Sequence, residues 1–557
     1  MKTSGAIYRM VKPAVKINVS NIFLERLASG LNRRSITKCS QWAEECRVMG
    51  KPFPGPWTFV HHPWLRAMHD ADTTFVWGQK AAQVGYTETV LNKVFFEMDV
   101  NGVSCLYVLP AKTPDASDFS AARFDPAVEL SIYLQKLFTE TKNVGHKRAG
   151  SANLYLRGSR SRAGLKSVPA GLIVLDELEE MTQEHIPLVF ERASGQLRWQ
   201  VWGISTPSID NVGINKYFNE STQEHFFFAC PHCEKSIELI FPDSLVINED
   251  KPKESHLICT ECKKPLDHND KKYFLANGLW IPQRESEDNR GFYINQMYSM
   301  TVQPYELAES YLRGLTNAAD EQEFYNSKLG LPHIVDGARV SETEILSCIQ
   351  EHKNGLIPSS PSIKTLGVDV GKWLHYEICE WKFPARRMTS DLNIEARARV
   401  LKYGKVQNFE ELDLLMHEYQ IQYCVIDAQP ERRKSFEFAQ RFLGFVKICF
   451  YGPGIQGKII AEGQEVEHSI TVDRTSWLDM ALSRFRNKTI SLPVDTNMEY
   501  RDNIKAPVRI YERNQHGNPI AKYVEGSDSD HYAHSRVYNE LALNFAASMA
   551  GSHDILD

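Results

Sequence analysis

The sequence predicts an α/β protein with two large domains, each built on a sheet that presents acidic side chains where strands end. In the first half, apolar strand-like segments alternate with helical segments, a pattern typical of a parallel sheet covered on both faces. One of these segments, GLIVLDE, ends on Asp176 and Glu177. In the second half, Asp369, Asp427 and Asp530 stand in three separate segments, LGVDVG, CVIDAQ and GSDSDHYAH.

Length and composition are compatible with this fold. A chain of 557 residues is too long for one hydrophobic core, so several domains are expected. The formal net charge of −6 argues against a uniformly basic nucleic-acid binder, so any DNA contact must come from local patches. No apolar run approaches the roughly 20 residues that span a bilayer, and the start lacks the apolar block of a signal peptide. We therefore expect no membrane association.

Residues 1–45 form a basic arm in this interpretation. The segment NIFLERLASGLNRR has apolar residues at helical spacing, which predicts a basic amphipathic helix. Such a helix is either an ordinary surface element or an arm that docks a partner.

Residues 46–225 are expected to form a nucleotide-hydrolysing domain, entered through the proline-rich segment KPFPGPW. A phosphate-binding loop reads GxxxxGK[ST]. The corresponding stretch here, KAAQVGYT, keeps Gly85 and Thr87, but Lys80 stands at the first glycine position and Tyr86 replaces the usual lysine. A lysine at the beginning of the loop could supply the same charge. The alternative is an ordinary strand-to-helix turn. The predicted nucleotide-binding stretch comprises Lys80, Ala81, Ala82, Gln83, Val84, Gly85, Tyr86 and Thr87.

An apolar strand that delivers Asp-Glu to its carboxyl end supplies a Mg²⁺ partner and a base that orients water. Asp176, with Thr87, is the predicted Mg²⁺ ligand, and Glu177 is the predicted catalytic base. Ser205 and Thr206 end the next strand and are predicted to sense the γ-phosphate, although they could equally cap a helix. The preceding basic loop is either an arginine finger, a DNA-facing loop or a solvated surface; it contains Arg157, Arg160, Arg162 and Lys166.

Two CxxC pairs predict a structural zinc ribbon over residues 226–285. Four thiolates from two such turns match tetrahedral Zn²⁺, and the ligands are Cys230, Cys233, Cys259 and Cys262. The alternative is a ribbon that keeps its cysteines without metal. His232 is expected to be exposed rather than coordinating. The remaining seven of the 11 cysteines show no pattern, which indicates a reducing compartment.

Residues 286–355 are predicted to be mainly helical and to end in the linker NGLIPSSPS. Residues 356–557 are predicted to form a nuclease domain, because KTLGVDVG followed by HYEICEWKF resembles the first hairpin of an RNase H-like sheet. Asp369, Asp427 and Asp530 are predicted to hold two cations and to be catalytic. Asp528 is the main rival for the third position and Asp479 a weaker one. Grouped carboxylates repel one another, so this site should need divalent metal for order as well as chemistry.

The order of these motifs resembles the large subunit of tailed-phage DNA-packaging terminases, of the lambda-like (GpA) branch. The resemblance runs from about residue 50 to 545. It is carried by KAAQVGYT, GLIVLDE, GISTP, CPHC…CTEC, FYNSKLGLP, LGVDVG, VIDAQ and DHYAHSRVYNELAL. That branch's own loop begins with lysine and ends in Gly-Tyr-Ser/Thr. The resemblance implies an amino-terminal P-loop ATPase of the ASCE type, a zinc-ribbon insertion and a carboxyl-terminal RNase H-like nuclease.

The resemblance further implies ATP-driven packaging of double-stranded viral DNA into a procapsid and cutting of concatemeric DNA by a two-metal mechanism. The implied cofactors are ATP, Mg²⁺ or Mn²⁺ at both sites and structural Zn²⁺. The implied partners are double-stranded DNA, the small terminase subunit, the portal protein and further copies of the chain assembled on the portal. The expected location is the host cytoplasm during virion assembly, not the mature virion.

Two other functions are compatible with the same residues. One is a metal-dependent recombinase or transposase with an accessory ATP-binding domain, which would transfer strands to a new DNA. The other is a DNA-binding scaffold that does not hydrolyse ATP, since the usual lysine of the loop is absent. Trp57 and Trp64 are candidates for the adenine pocket.

Overall fold

The computed structural model describes residues 36–139, 143–166, 168–359, 362–384, 391–452, 460–462, 468–513, 518–526 and 529–549. The chain divides into two compact units. The first contains the described residues up to Pro207 together with Gly213–Glu306, and the second contains Ser208–Val212 and the described residues from Leu307 onward. Most of the predicted basic arm, and the rival ligand Asp528, lie outside the described residues.

The first unit is built on a large mixed sheet whose inner strands all run parallel. In spatial order its strands are Ser236–Ile237, Glu224–Ala229, Asn289–Ile294, Phe75–Lys80, Gln200–Ser205, Leu172–Asp176, Cys105–Leu109, Ala152–Gly158 and His146–Ala149. The strand Leu279–Ile281 pairs with Glu224–Ala229. The strand Leu172–Asp176 is buried along its whole length, which explains its continuous apolar run. The predicted parallel α/β fold of the first half is confirmed.

Helices cover this sheet and two small sheets accompany it. The helices of the first unit include Cys39–Cys46, Leu65–His69, Tyr86–Asp99, Ser117–Phe119, Asp125–Leu130, Ile132–Leu137, Arg162–Leu165, Ile186–Phe190, Gly213–Asn219 and Lys271–Phe274. One small sheet pairs Val48–Met49 with Gly55–Pro56. In the other, His256–Ile258 is the central strand between Leu245–Val246 and Pro265–Leu266. The first cysteine turn follows the strand Glu224–Ala229 of the main sheet, and the second follows His256–Ile258 of the small three-stranded sheet.

One segment of the predicted helical region is a strand instead. Asn289–Ile294 inserts beside Phe75–Lys80 in parallel register. Its sequence, NRGFYI, is short and follows a charged stretch, so it is too short to show the alternating pattern that predicts a strand. The chain passes between the two units inside the helix Pro304–Gly314, about 50 residues before the linker that the sequence suggested.

The second unit contains an eight-stranded mixed sheet. In spatial order its strands are Ile460–Glu462, Ser469–Val472, Val446–Tyr451, Tyr423–Asp427, Ile363–Val370, Leu374–Lys382, Arg397–Val406 and Ile490–Ser491. Ile363–Val370 pairs antiparallel with Leu374–Lys382 and parallel with Tyr423–Asp427. A separate hairpin pairs Pro507–Arg513 with Pro519–Glu525. The expected first hairpin is therefore present.

The helices of this unit frame the sheet, and the last one crosses its centre. They include Pro304–Gly314, Ala318–Glu323, Glu342–Leu346, Leu392–Glu395, Phe409–Glu418, Arg432–Arg441, Arg474–Arg486, Met498–Lys505 and His531–Met549. A Cβ at Gly367 would lie 2.1 Å from the Ser535 carbonyl oxygen of the last helix. Only glycine allows this helix to approach the strand two residues before Asp369.

The core of the second unit reaches back beyond the predicted boundary at residue 356. Val340, Ile345 and Cys348 are buried in the same cluster as Trp477 and Leu541. A fragment that starts near residue 358 would lose these side chains, so tests of the nuclease should use the whole chain.

Candidate functional site

The candidate nucleotide loop lies between the strand Phe75–Lys80 and the helix Tyr86–Asp99. Gln83 and Gly85 both adopt left-handed backbone conformations, with φ of 59° and 91°. Turns of this kind direct backbone N–H groups into a concave anion cradle, and the following helix adds the positive end of its dipole. The local backbone is therefore suited to phosphate.

Neighbouring elements hold this loop in place. Gln296 Nε2 donates a hydrogen bond to the Ala82 carbonyl at 2.9 Å, and Trp64 Nε1 donates one to the Val84 carbonyl at 3.0 Å. Trp64 is fully buried and therefore offers no face to adenine, and Trp57 is also buried. Trp64 therefore supports the loop, whereas Trp57 packs against Phe59 and His69.

Lys80, at the end of its strand, points toward the acidic pair. Its Nζ lies 3.3 Å from Glu177 Oε1, and the side chain is almost completely buried. Ser205 Oγ lies 3.3 Å from Glu177 Oε2 and also accepts a hydrogen bond from the Glu179 N–H at 3.2 Å. The structure thus brings the predicted loop lysine, the predicted base and the predicted sensor strand together.

Asp176 is the most deeply buried carboxylate at this site. Tyr107, on the next strand, donates a hydrogen bond to Asp176 Oδ2 at 2.6 Å, whereas Oδ1 has no hydrogen-bond partner among the described residues. Burial raises the pKa of Asp176 to about 6, with a further contribution from the negative charge of Glu177. A buried, unpartnered carboxylate oxygen is suited to a cation. Tyr107 was missed from the sequence because only strand order places it beside Asp176.

Glu177 follows with an unusual backbone. Its φ of 57° is left-handed, a conformation that costs energy in a residue other than glycine and is concentrated at functional sites.

Thr87 lies partly exposed in the first turn of the helix, and Thr206 is partly exposed after its strand. Tyr86 differs: its ring is buried, and a Cβ at Gly78 would lie 2.6 Å from it. The Tyr86 side chain therefore packs against the sheet, which leaves its backbone for phosphate.

The basic loop divides into two parts. Arg157 Nη1 donates hydrogen bonds to the carbonyls of Gly145 and Leu156, so it stabilises its own strand. Arg160, Arg162 and Lys166 are exposed after the carboxyl end of that strand.

The second candidate site lies at the carboxyl ends of two parallel strands of the second unit. Val368 pairs with Ile426, so the following residues, Asp369 and Asp427, emerge side by side. Burial raises the pKa of Asp427 to about 6; a hydrogen bond from the Gln429 N–H opposes this shift, and the charge of Asp369 adds to it. Two close carboxylates with restricted solvation are suited to divalent metal.

Asp530 lies immediately before the last helix and has partners of its own. His534 Nε2 lies 3.1 Å, and Arg474 Nη2 3.3 Å, from Asp530 Oδ2. Although burial opposes it, the hydrogen bond from His534 and the positive charges of His534 and Arg474 lower the pKa of Asp530. The rival Asp479 is paired with Arg509 at 2.9 Å.

Two histidines that sequence reasoning missed contact this edge. His375 lies opposite Asp369 in the hairpin register. His531 Nδ1 lies 2.8 Å from Asp369 Oδ2, and its ring stacks on that of His375 at 4.3 Å. The hydrogen bond to Asp369 raises the pKa of His531, whereas burial lowers the pKa of His375 to about 4. The tight turn after Asp369 was the signal that could have revealed His375.

The four cysteines of the CxxC turns converge, with ligand atoms within 4.8 Å of one another. Sγ atoms of Cys230 and Cys262, and of Cys233 and Cys259, are 3.9 Å apart. Four thiolates at ~2.3 Å from one tetrahedral ion are roughly 3.8 Å apart, so the spacing fits zinc. The two turns share one geometry, since Glu234 and Lys263 both have φ near 60°. His232 is exposed, as expected, and its Nε2 contacts the Pro265 carbonyl.

Comparisons with known proteins identify the family of the chain. The model of the phage terminase large subunit gpA ATPase domain matches residues 52–280, and the gpA endonuclease domain model matches residues 289–434. The chain belongs to the GpA family of phage terminase large subunits. It is therefore an ATPase and an endonuclease, and these activities imply a bound nucleotide and divalent metal. No curated protein matches the chain.

Solved structures of terminases also resemble this one. The large terminase of bacteriophage HK97 is 11% identical, with 91% of this chain and 99% of that chain covered and a TM-score of 0.49. The large terminase of a thermophilic bacteriophage is 10% identical, with 87% and 98% covered and a TM-score of 0.31. At these scores the likenesses do not by themselves assign a function. In the described part of the chain, no helix is long and apolar enough to cross a membrane.

Proposed function

We propose that the first unit is the packaging motor and that it hydrolyses ATP with the residues gathered around Asp176 and Glu177. The carrying observation is the buried Asp176, whose free Oδ1 and Tyr107-bound Oδ2 stand beside the Lys80–Glu177 pair. Asp176 and Thr87 would hold Mg²⁺, which when bound neutralises charge on the phosphates. Backbone N–H groups of residues 81–87 would cradle the phosphates, and Lys80 would add positive charge.

Glu177 is the proposed base. It is the more exposed acid of the pair, it is held between Lys80 and Ser205, and its carboxylate can accept a proton from water. Ser205, and Thr206 beside it, would report the presence of the terminal phosphate through this contact. If Lys80 turned to a bound phosphate, Glu177 would be free to orient water.

Steady-state hydrolysis tests these roles. Glu177→Gln should reduce ATP turnover by at least about 100-fold with ATP binding nearly unchanged, because the amide keeps the shape but does not accept the proton. Lys80→Ala should weaken both binding and turnover. Lys136→Ala, an exposed lysine on the helix Ile132–Leu137 of the same unit, is the matched control. Normal turnover in both site variants would refute the assignment, whereas no turnover in the unmodified chain would favour the non-hydrolysing scaffold.

We further propose that the second unit cuts concatemeric DNA with two Mg²⁺ or Mn²⁺ ions. The paired strand ends that carry Asp369 and Asp427 support this, with Asp530 as the flanking carboxylate. The ions, when bound, would activate water and stabilise the departing 3′ oxygen. The protein's own residues hold the cations and orient the strand to be cut.

Plasmid cleavage by the whole chain tests the nuclease. Asp427→Asn should abolish nicking with Mn²⁺ or Mg²⁺ while ATP turnover continues, and Asp530→Ala should do the same if Asp530 is the third ligand. Asp479→Ala is the matched control. Cleavage by Asp427→Asn at the wild-type rate would contradict the proposal. Joining of the cut strand to a second DNA would instead favour the recombinase or transposase.

The cysteine cluster is proposed to hold one structural Zn²⁺, through Cys230, Cys233, Cys259 and Cys262. The 3.9 Å sulfur spacings and the two matched turns support this ion. Elemental analysis should find about one zinc per chain, and Cys259→Ser should lower it and destabilise the ribbon. Carefully prepared protein without zinc would contradict the proposal.

The proposed partners are double-stranded DNA, the small terminase subunit, the portal of the procapsid and further copies of the chain on that portal. The proposed location is the host cytoplasm during virion assembly. Family membership supports these partners. Stimulation of ATP turnover by purified portal or procapsid tests them, and a rate that neither changes would count against the packaging role.

A further inference from the structure

We propose that the nuclease centre contains a histidine-bearing cation site formed by Asp369, His375 and His531. This inference rests on the proposed nuclease function and specifies one of its two cation positions. The second position would be shared by Asp369 and Asp427, the neighbouring strand ends. The three residues offer one oxygen and two nitrogen ligands.

The hairpin and the last helix bring these side chains together. The ligand atoms of Asp369, His375 and His531 all lie within 4.8 Å of one another. Asp369 and His375 are register partners across the first hairpin, and His531 comes from the first turn of the helix that packs on Gly367. A 2.8 Å hydrogen bond between His531 Nδ1 and Asp369 Oδ2 holds these two ligand atoms side by side.

His375 provides the independent sign of a ligand. It is only 5% exposed, and its Nδ1 is buried without a hydrogen-bond partner among the described residues. A buried ring nitrogen without a partner is costly, and a cation would satisfy it. His531 differs, because 37% of its side chain is exposed, which leaves one side of the cluster open to water or a phosphate oxygen.

Asp530 is a poorer ligand than His531 for the cation position beside Asp369. Its Oδ2 lies within hydrogen-bond distance of both His534 and Arg474. A carboxylate that already has two cationic or hydrogen-bonding partners gains less from a metal ion than one without them. His531, one residue later, takes the place beside Asp369.

The ligand set predicts a metal preference. Imidazole nitrogen suits transition metals, whereas Mg²⁺ prefers oxygen ligands. Mn²⁺ accepts both kinds. The chain should therefore bind Mn²⁺ more tightly than Mg²⁺ at this centre and cut DNA better with it.

Mn²⁺ binding to the full chain, without nucleotide, tests the site directly. Titration followed by the electron paramagnetic resonance of free Mn²⁺ gives the affinity, and spin-echo modulation from ¹⁴N reports imidazole bound to the ion. His375→Ala and His531→Ala should each weaken binding about tenfold or more and reduce the ¹⁴N modulation. His417→Ala, an exposed histidine of the same unit, is the control.

A second pair of variants distinguishes the loss of a metal ligand from misfolding. His375→Asp and His531→Asp keep a ligand but replace nitrogen by oxygen, so they should shift the preference for cutting from Mn²⁺ toward Mg²⁺. Unchanged Mn²⁺ affinity and ¹⁴N modulation in both alanine variants would overturn the histidine site. If Asp369→Asn and Asp427→Asn also cut normally, the nuclease proposal itself fails. If only those two lose cutting, the nuclease stands and the histidine site does not.

Discussion

The two catalytic edges use the same placement of carboxylates but compensate their charge differently. In the first unit, buried Asp176 has a neutral partner, the Tyr107 hydroxyl, and the nearby Lys80 contacts Glu177 instead. In the second unit, Asp369 contacts His531 and Asp530 contacts Arg474, so ionisable groups of the chain supply the compensation. At the first site the buried Asp176 is bound only by a neutral hydroxyl, whereas at the second site Asp369 and Asp530 each contact a basic side chain.

Two individual buried cations, one in each unit, differ in whether a carboxylate pairs with them. In the second unit, fully buried Arg536 lies 2.6 Å from Glu377 and 3.2 Å from Glu540, and Glu540 also binds Arg484. In the first unit, buried Lys271 donates to the Ser299 carbonyl at 2.7 Å and has no carboxylate partner among the described residues. Removing these two charges should therefore have opposite effects on the free energy of unfolding.

Arg536→Met should give the largest effect. It leaves Glu377 and Glu540 buried without their shared cation, which should cost about 3–5 kcal/mol of the free energy of unfolding. Denaturant unfolding of the second unit measures this, and ATP turnover should persist. Arg433→Met, an exposed arginine, should change stability by less than ~0.5 kcal/mol. Equal stability of Arg536→Met and Arg433→Met would show that the buried ion pairs of Arg536 do not stabilise this unit.

Gly367→Ala should lower the free energy of unfolding by less, about 1–3 kcal/mol, because the added methyl meets the backbone of the helix that carries His531. DNA cleavage should fall with it, since this helix positions His531 beside Asp369. The control is Gly195→Ala, where a Cβ meets no atom within 4 Å. A Gly367→Ala protein with full stability and cleavage would show that the close approach is not needed.

Lys271→Met should stabilise the first unit. Burial lowers the pKa of Lys271 to about 7, against ~10.4 in the unfolded chain, so between these values the unfolded state binds a proton that the folded state lacks. The free energy of unfolding therefore falls as pH drops from about 10 to 7 and levels off below. The variant should lose this slope and raise Tm by about 3 °C or more at pH 7. Lys272→Met, the exposed neighbour, should retain the slope; a slope unchanged in Lys271→Met would contradict the prediction.

Tyr107→Phe should give the smallest effect and one confined to the motor. Without the hydroxyl, Asp176 loses the contact that fixes its orientation, so the Mg²⁺ concentration for half-maximal ATP turnover should rise about tenfold. Tyr133→Phe, a partly exposed tyrosine whose hydroxyl contacts Asp99, is the control. An unchanged Mg²⁺ dependence would mean that Tyr107 only fills the core.

The sequence pattern located both carboxylate edges because each follows an apolar run that is buried as a strand. Asp176 and Asp427 end such runs, so their positions are local information. Tyr107 and the strand Asn289–Ile294 could not be found in the same way, because they reach their places through strand order. His375 required the register of the first hairpin, which the tight turn after Asp369 sets. One partner of Asp530, Arg474, was hidden for the same reason, since it comes from a distant helix.

One paired measurement tests most directly whether the chain carries two separate catalytic centres. Asp176→Asn and Asp369→Asn are made in the full chain, and ATP turnover and plasmid cleavage are measured for each. We expect Asp176→Asn to lose turnover and keep cleavage, and Asp369→Asn to lose cleavage and keep turnover. Loss of both activities in a single folded variant, or of neither in both variants, would contradict this assignment.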